Sequence, residues 1–230
     1  MIGLLMLVAM AVGAGGPPGP LAGIRVTLDP GHPSEVGRGT TGKRISELEV
    51  CWRVAKLARA ALEADGATVC LTKSRMDEMV PNQRRAEIAN DFRADLMVRL
   101  HCDAASARGF SVYYPSTTGT ANGFRGPSAS VLARSKSFAQ VFHPALRDAL
   151  GGALNDRGLM TDRQTSVGAR QGALTGSIYS QVPVLLIEMV VLTDPKDEAW
   201  ILVPKNQLRY GKAIATAVRA VVAAPGFHLP

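Results

Sequence analysis

Three predicted β-strands of this sequence end in side chains that bind divalent metal ions or transfer protons. The strands and their side chains are 24–29 with His32, 96–101 with His101, and 184–188 with Glu188. Because open α/β sheets bind ligands beyond the carboxyl ends of their strands, we expect these side chains at one edge of one sheet. Two imidazoles and a carboxylate suit a Zn²⁺ ion that keeps one position open for water or substrate.

A further ligand has to come from near these strands, and the first long predicted helix begins with two carboxylates. Ser46 is placed to cap this helix, and Glu49, three residues later, would complete a capping box. This gives Glu49 a structural role and leaves Glu47 free to face the metal. A single histidine is more often a loop or core residue than a ligand, so only the joint arrangement predicts a metal site.

Strands and helices alternate along the chain, which predicts a single-domain α/β fold. The predicted strands are 24–29, 67–72, 96–101, 110–114 and 184–188, and the predicted helices are 48–62, 82–92, 128–150 and 208–222. We expect a layered, mostly parallel sheet with helices on both faces. Pro144 should kink or split the third helix. Residues 115–127 are predicted to form a loop, and 155–180 an irregular segment over the site.

The composition limits the classes of protein that this chain can be. With 47% hydrophobic residues in 230, it is not a disordered tail. The presence of only 3 cysteines excludes a disulfide-stapled mini-protein. These cysteines are either small buried side chains, or Cys51 and Cys70 form a disulfide. The net charge of +7 suggests an anionic partner, but no basic run supports nucleic-acid binding.

The first residues predict an export signal. Residues 1–23 carry no charged side chain, and 2–12 are almost wholly apolar. Such a run is shorter than the ~20 residues that span a bilayer, and it has the length of a signal-peptide core. We therefore expect a leader and short linker at 1–22, a catalytic domain at 23–230, no membrane span, and an exported monomer in the periplasm or cell exterior. A frayed hydrophobic start, or a wrongly chosen start codon, is the rival interpretation.

Several short motifs occur in a defined order between about residues 24 and 222. They are Asp29-Pro-Gly-His32, Ser46-Glu47-Leu48-Glu49-Val50, Leu71-Thr72, Arg85-Ala-Glu-Ile-Ala-Asn90, Ala94-Asp95-Leu96, Leu100-His101 and Pro183-Val-Leu-Leu-Ile-Glu188. In this order and spacing the sequence resembles the zinc-dependent N-acetylmuramoyl-L-alanine amidases of bacterial cell-wall turnover.

The resemblance implies a site, a cofactor and a substrate. Its zinc ligands fall on His32, Glu47 and His101, and its catalytic glutamate falls on Glu188. The implied substrate is peptidoglycan, cut between the lactyl group of N-acetylmuramic acid and L-alanine of the stem peptide. Arg85 is a candidate for binding carboxylates of the stem peptide, and the alternative is a structural role in its helix. Some members of the family are gated by a partner protein, so the resemblance also implies an activator protein of unknown identity.

The sequence departs from the family pattern close to these residues. Pro33 stands where the family usually has a glycine directly after the first histidine, and Arg99 stands where it usually has a small residue two positions before the second histidine. Asp103 replaces an asparagine two positions after the second histidine, and Val190-Val191 replaces a Gly-Phe pair that follows the catalytic glutamate. None of these changes removes a metal ligand or the general base. We expect them to affect pocket shape and substrate preference rather than fold or metal.

Two other functions use the same residues. A zinc carboxypeptidase-like hydrolase would need the same two histidines and two glutamates, and a catalytically inactive wall-binding module would bind sacculi without cutting them. Product analysis separates them, since an amidase frees the intact stem peptide whereas a peptidase trims it.

Overall fold

Eight strands organise the part of the chain that the structure, a computed structural model, describes, residues 18–227. They are β1 Arg25–Pro30, β2 Thr68–Leu71, β3 Leu96–Asp103, β4 Phe110–Tyr114, β5 Gly119–Ala121, β6 Phe124–Gly126, β7 Asp156–Thr161 and β8 Val184–Val191. Six of them form one sheet in the order β2-β1-β3-β8-β4-β7, and β5 and β6 form a separate hairpin. The first four strands of that order are parallel, while β4 is antiparallel to β8. Residues 1–17 of the predicted leader and linker lie outside the described residues, whereas Leu21, near the end of this segment, is fully buried in the main core.

Seven α-helices and one 3₁₀ turn complete the described part of the chain. The helices are α1 Glu47–Ala64, α2 Asn82–Asp91, α3 Ala129–Leu150, α4 Ser166–Gln171, α5 Thr175–Ile178, α6 Pro195–Ile201 and α7 Pro204–Ala223, with the 3₁₀ turn at Asp162–Gln164. In this described region no helix has both the length and the apolar composition that crossing a membrane requires.

The alternation of side chains along the central strands gives the two faces of the sheet different roles. On one face, Leu96, Val98 and Leu100 join the main core, which α1, α3 and α7 cover. On the other face, Met97 packs with Val184 and with α2. Since a strand points successive side chains to opposite faces, the residues two and four positions after Met97 belong to the α2 face. This confirms the predicted α/β fold with helices on both faces and assigns the candidate site to the less heavily covered face.

The structure differs from the sequence prediction where tertiary contacts decide. The predicted loop 115–127 contains the β5–β6 hairpin, and the predicted irregular segment 155–180 contains β7, α4 and α5. Pro144 does not split α3, because Phe142 and Leu146 on either side of it are fully buried and hold the helix against the core. This packing outweighs a proline cost of about 3 kcal/mol.

The cysteines form no disulfide among the described residues. Cys51, Cys70 and Cys102 are all free, so the alternative of a Cys51–Cys70 bridge is wrong. Cys51 and Cys102 are buried in the main core, where their thiols contact each other, and Cys70 is partly buried on β2. They are small core side chains, as the other interpretation had it.

Candidate metal centre

His32 lies at the carboxyl end of β1, on a loop whose backbone is fixed against β3. The Gly31 amide donates to the Leu100 carbonyl at 2.8 Å. A Cβ at Gly31 would lie 2.7 Å from His101 Cε1, so the two chain segments approach as closely as only glycine permits. His32 Nδ1 is 3.1 Å from the Gly37 carbonyl oxygen. A proton on Nδ1 therefore satisfies that bond and leaves Nε2 free as a metal ligand.

Glu47 is the first residue of α1, and the predicted capping box holds it in place. The Ser46 hydroxyl accepts from the Glu49 amide, and the Glu49 carboxylate accepts from the Ser46 amide at 3.1 Å. Glu47 is only 2% exposed. Its Oε2 accepts from the Thr40 amide at 2.7 Å, and its Oε1 accepts from the Cys102 amide at 3.1 Å. The backbone thus aims this carboxylate at the end of β3.

The structure brings the three predicted ligands together. Glu47 Oε1 lies 3.0 Å from His101 Nδ1 and 3.5 Å from His32 Nε2. One ligand atom from each residue fits within a 4.8 Å group, and the two imidazole rings meet edge to face with centroids 5.2 Å apart. His101 Nε2 is buried without a hydrogen-bond partner in residues 18–227. This donor set of two imidazoles and one carboxylate fits a zinc ion.

The protonation states of these residues also suit a metal. Burial would raise the pKa of Glu47, but hydrogen bonding and charge from His101, the charge of His32 and the Thr40 amide lower it. Desolvation lowers the pKa of His101, although Glu47 opposes this effect. A charged carboxylate and a neutral imidazole are the forms that bind metal ions.

Glu188 faces this group from the neighbouring strand. It pairs in register with His101 across β3 and β8. Its Oε2 is buried without a hydrogen-bond partner among the described residues. Desolvation raises the pKa of Glu188 well above its usual range, and the nearby carboxylates of Glu47 and Asp103 add to the effect. A carboxyl group with a raised pKa close to a metal site is suited to accept and return a proton.

A buried network of ion pairs lies next to the metal group and supports the loop that carries His32. Asp29 is fully buried and contacts two guanidinium groups, Arg85 Nη1 at 2.6 Å and Arg99 Nε at 2.8 Å. Burial alone would raise the pKa of Asp29, but the two arginines and the Thr72 hydroxyl hold it far below its ordinary value. The carboxylate is therefore charged at neutral pH.

Arg85 belongs to this support and not to the cavity. It is 1% exposed and also donates to the carbonyls of Pro30 and Pro33, each at 2.8 Å. Lys73 reinforces the same loop by donating to the His32 carbonyl. Of the two interpretations of Arg85, these contacts favour the structural one, because its guanidinium binds Asp29 and the loop that carries His32.

A cavity of about 180 Å³ opens beside the metal group. Its walls are formed by the following residues: His32, Val36, Asn82, Arg99, His101, Thr165, Val167, Leu174, Thr175, Leu186 and Glu188. The segment 165–175, from α4 to α5, supplies several of them, so the predicted placement of 155–180 over the site holds for this part. Its individual residues were not predicted, because no pattern in the sequence distinguishes them from an ordinary loop.

The departures from the family pattern have defined positions. Asp103 accepts from Arg157 Nη1 at 2.8 Å, on the β4–β7 side of Glu188. Val190 and Val191 are fully buried, and the Val191 amide donates to Asp197 at 2.9 Å. Arg99 is the departure that lines the cavity.

A family model and the curated relatives of this chain all indicate the same protein family. The family model described as N-acetylmuramoyl-L-alanine amidase matches residues 26–220. The chain is 30% identical over 181 residues to the N-acetylmuramoyl-L-alanine amidase LytC of Bacillus subtilis, an alignment that covers 77% of this chain and 31% of LytC. It is 26% identical over 252 residues to the N-acetylmuramoyl-L-alanine amidase Rv3717 of Mycobacterium tuberculosis, covering 98% of both. The chain thus spans about a third of the length of LytC but nearly all of Rv3717.

Solved structures share the fold. The N-acetylmuramyl-L-alanine amidase Ami1 of Mycobacterium smegmatis superposes with a TM-score of 0.72 at 23% identity, covering 89% of this chain and 99% of that one. The CwlD amidase of Clostridioides difficile, solved in complex with the GerS lipoprotein, gives a TM-score of 0.69 at 18% identity and covers 87% and 98% of the two chains.

Proposed function

The chain belongs to the N-acetylmuramoyl-L-alanine amidase family, and we propose that it uses a zinc ion to hydrolyse the amide between N-acetylmuramic acid and L-alanine in peptidoglycan. The predicted family, fold class and hydrolase activity are confirmed at the family level by the match over residues 26–220 and by the named relatives. The observation that carries the detailed proposal is the group of His32, Glu47 and His101 with Glu188 facing it.

His32 Nε2, the Glu47 carboxylate and the His101 imidazole would hold the zinc ion. When bound there, zinc would supply Lewis-acid chemistry that polarises the scissile carbonyl and lowers the pKa of water to about 7. This matters because an amide carbonyl is a poor electrophile. The protein's own contribution is to hold the three ligands rigidly, through Gly37, Thr40 and the Cys102 amide.

Glu188 would act as the general base and then as the general acid. Its Oε2 accepts a proton from the attacking water and returns it to the nitrogen of the departing alanine, so that the amine leaves in neutral form. The pairing of Glu188 with His101 on adjacent strands supports this role, because it places the carboxylate beside the ligand group.

Wall association and export complete the proposal. The substrate is peptidoglycan, the net charge of +7 favours attraction to the anionic wall, and the chain acts in the periplasm or cell exterior as a monomer. Export requires the predicted leader, of which residues 1–17 lie outside the described residues. An activator protein stays part of the proposal, since the related CwlD is known in complex with a lipoprotein.

Product analysis on purified sacculi tests the function. We expect the wild-type protein to release intact stem peptides that begin with L-alanine, and a chelator to abolish the release. Trimmed peptides would instead indicate the carboxypeptidase-like alternative, and binding to sacculi without any product would indicate the inactive wall-binding module.

The variant Glu188→Gln separates chemistry from metal binding. We expect it to retain zinc, because Glu188 is not in the ligand group, and to lose about 10²- to 10⁴-fold in the rate of product release. Zinc content is measured by metal analysis of the purified protein. Undiminished release of new amino termini by Glu188→Gln would contradict the role of Glu188.

A further inference from the structure

Arg99 carries a buried positive charge in the cavity that the catalytic proposal does not use. It is 2% exposed and lies two residues before His101 on β3, where the family usually has a small residue. Side chains two positions apart on a strand point to the same face. Arg99 therefore shares the sheet face of the metal group, and it lines the cavity beside Glu188 and Leu186.

The contacts of Arg99 leave part of its guanidinium available. Its Nε donates to Asp29 at 2.8 Å and its Nη2 donates to Asn82 Oδ1 at 2.6 Å. Its Nη1 has no hydrogen-bond partner among the residues that the structure describes. An arginine guanidinium has five N–H donors in a planar fork that suits carboxylates, so one edge of Arg99 stays free for a further acceptor.

The ion pairs around Arg99 involve one carboxylate and two guanidinium groups, since Asp29 contacts both Arg85 and Arg99. The carboxyl groups of Glu188 and Asp162 also interact electrostatically with Arg99 without forming an ion pair with it. The segment that covers the cavity has a buried carboxylate at Asp162, but this group accepts from the Leu174 amide at 3.0 Å. Within residues 18–227, Arg99 forms ion pairs only with Asp29.

The backbone spacing between Arg99 and His101 equals that of two residues in an extended peptide. Residues two apart on a strand are separated by about 7 Å. Two residues of an extended peptide also span about 7 Å. A peptide that runs along β3 with its scissile carbonyl at the metal group would therefore carry its second residue toward the position of Arg99, inside a cavity that both Arg99 and His101 line.

We infer that Arg99 is a specificity-determining residue that binds a free carboxylate on the second residue of the stem peptide. This inference rests on the proposed amidase function. Arg99 acts by binding substrate at a distance from the reacting atoms, so its contribution should be mainly in KM. Gly176 packs against Arg99. A Cβ added at Gly176 would lie 2.6 Å from Arg99 Nη1 and would occupy the space beside the free edge of the guanidinium.

Two muramyl tripeptides test the inference. They differ only in a carboxylate or a carboxamide on the α-carbon of the second residue. We expect the wild-type protein to cleave the carboxylate substrate with a kcat/KM higher by about tenfold or more, since a charge-assisted hydrogen bond contributes at least that factor. Equal kcat/KM values for the two substrates would overturn the role of Arg99 while leaving the amidase function intact. Cleavage of neither substrate, nor of sacculi, would instead overturn the function.

The variant Arg99→Gln should bring the ratio of the two kcat/KM values close to one. The matched control is Arg85→Gln, which contacts the same Asp29 but lies outside the cavity; it should lower both values by a similar factor and preserve the ratio. A preserved ratio in Arg99→Gln would show that Arg99 only neutralises Asp29.

A second variant covers the case in which Arg99→Gln does not fold. Gly176→Ala displaces the guanidinium through the added Cβ and leaves Asp29 and Arg99 in the sequence. We expect it to reduce the preference for the carboxylate substrate. A folded Gly176→Ala protein with the full wild-type preference would overturn the inference. Folding is followed by circular dichroism, and the ratio by product quantification.

Discussion

Glu47 and Glu49 illustrate how two identical side chains in one helical turn acquire different roles. Glu49 is bound to Ser46 in the capping box, whereas Glu47 is buried and lies within 3.5 Å of both histidines. The difference comes from position: the third residue of a helix reaches back to its cap, and the first points across the helix terminus. At neutral pH both side chains are charged, so charge alone does not distinguish them.

The first prediction compares these two residues. Glu47→Gln should lose most of the bound zinc, because it removes an anionic ligand and leaves the backbone amides of Thr40 and Cys102 facing a neutral group. The matched control Glu49→Gln should keep its zinc and lose only about 1 kcal/mol of stability through the weaker cap. Metal analysis after dialysis measures both; equal zinc content in the two variants would contradict the ligand assignment.

At the scale of elements, the loop between β1 and α1 determines the geometry of the site. This loop carries His32 at its start and ends at Glu47, and it packs so closely that side chains are excluded at particular positions. Gly39, with φ of +82°, would place a Cβ 2.4 Å from Glu47 Oε2 and 2.7 Å from His32 Cδ2. The loop therefore approaches the ligands too closely for any other residue.

Substitution of this glycine gives a second prediction. Gly39→Ala should weaken zinc binding, since the added methyl group must displace Glu47 or His32. Gly23 is a suitable control because it also has φ of +82° but no atoms within 4 Å of an added Cβ. Gly23→Ala should have only the backbone strain, on the order of 1–2 kcal/mol, and normal zinc affinity. Competition with a chromogenic chelator measures the affinity, and identical values for the two variants would refute the steric argument.

At the scale of the whole molecule, Asp29 connects elements that are distant in the sequence. It lies on β1 and joins β3 through Arg99 and α2 through Arg85. Arg85 in turn holds the carbonyls of the His32 loop. Removing one partner of a buried ion pair costs about 3–5 kcal/mol, because the remaining charges are left uncompensated.

Acid titration of stability provides the third prediction. The folded state lowers the pKa of Asp29, so its stabilising effect is present at neutral pH and is lost as pH falls below the value of about 3.9 for an unfolded aspartate. Asp29→Asn should be less stable than wild type by about 3–5 kcal/mol at pH 7, with a smaller difference at pH 3. Urea unfolding at both pH values measures this.

The control for this titration is an exposed carboxylate. Asp91 forms a surface ion pair with Arg84 at 3.4 Å. Asp91→Asn should change stability by less than about 1 kcal/mol at either pH, because exposed ion pairs are screened by solvent. A difference between Asp29→Asn and wild type that does not shrink on acidification would show that Asp29 does not contribute through its charge.

Local patterns in the sequence were sufficient for β1, β2, β3, β4 and β8, for the helix cap and for the candidate site residues, but not for β5, β6 and β7. His32, His101 and Glu188 follow apolar runs that read as buried strands, and the Ser46–Glu49 spacing is a local signal of a helix start. These features depend on neighbouring residues only, so the sequence predicts the alternation of elements and the candidate residues, while the division into metal ligands and general base is what the family resemblance implies.

Only the tertiary structure decided the roles of residues whose partners are remote. The sequence suggested Arg85 as a substrate ligand and gave Arg99 only as a departure from the family pattern. In the structure Arg85 contacts Asp29 and the His32 loop, whereas Arg99 lines the cavity. The physical reason is that the fate of a charged side chain depends on which partners and how much water surround it, and both are determined by the packing of elements far apart in the chain.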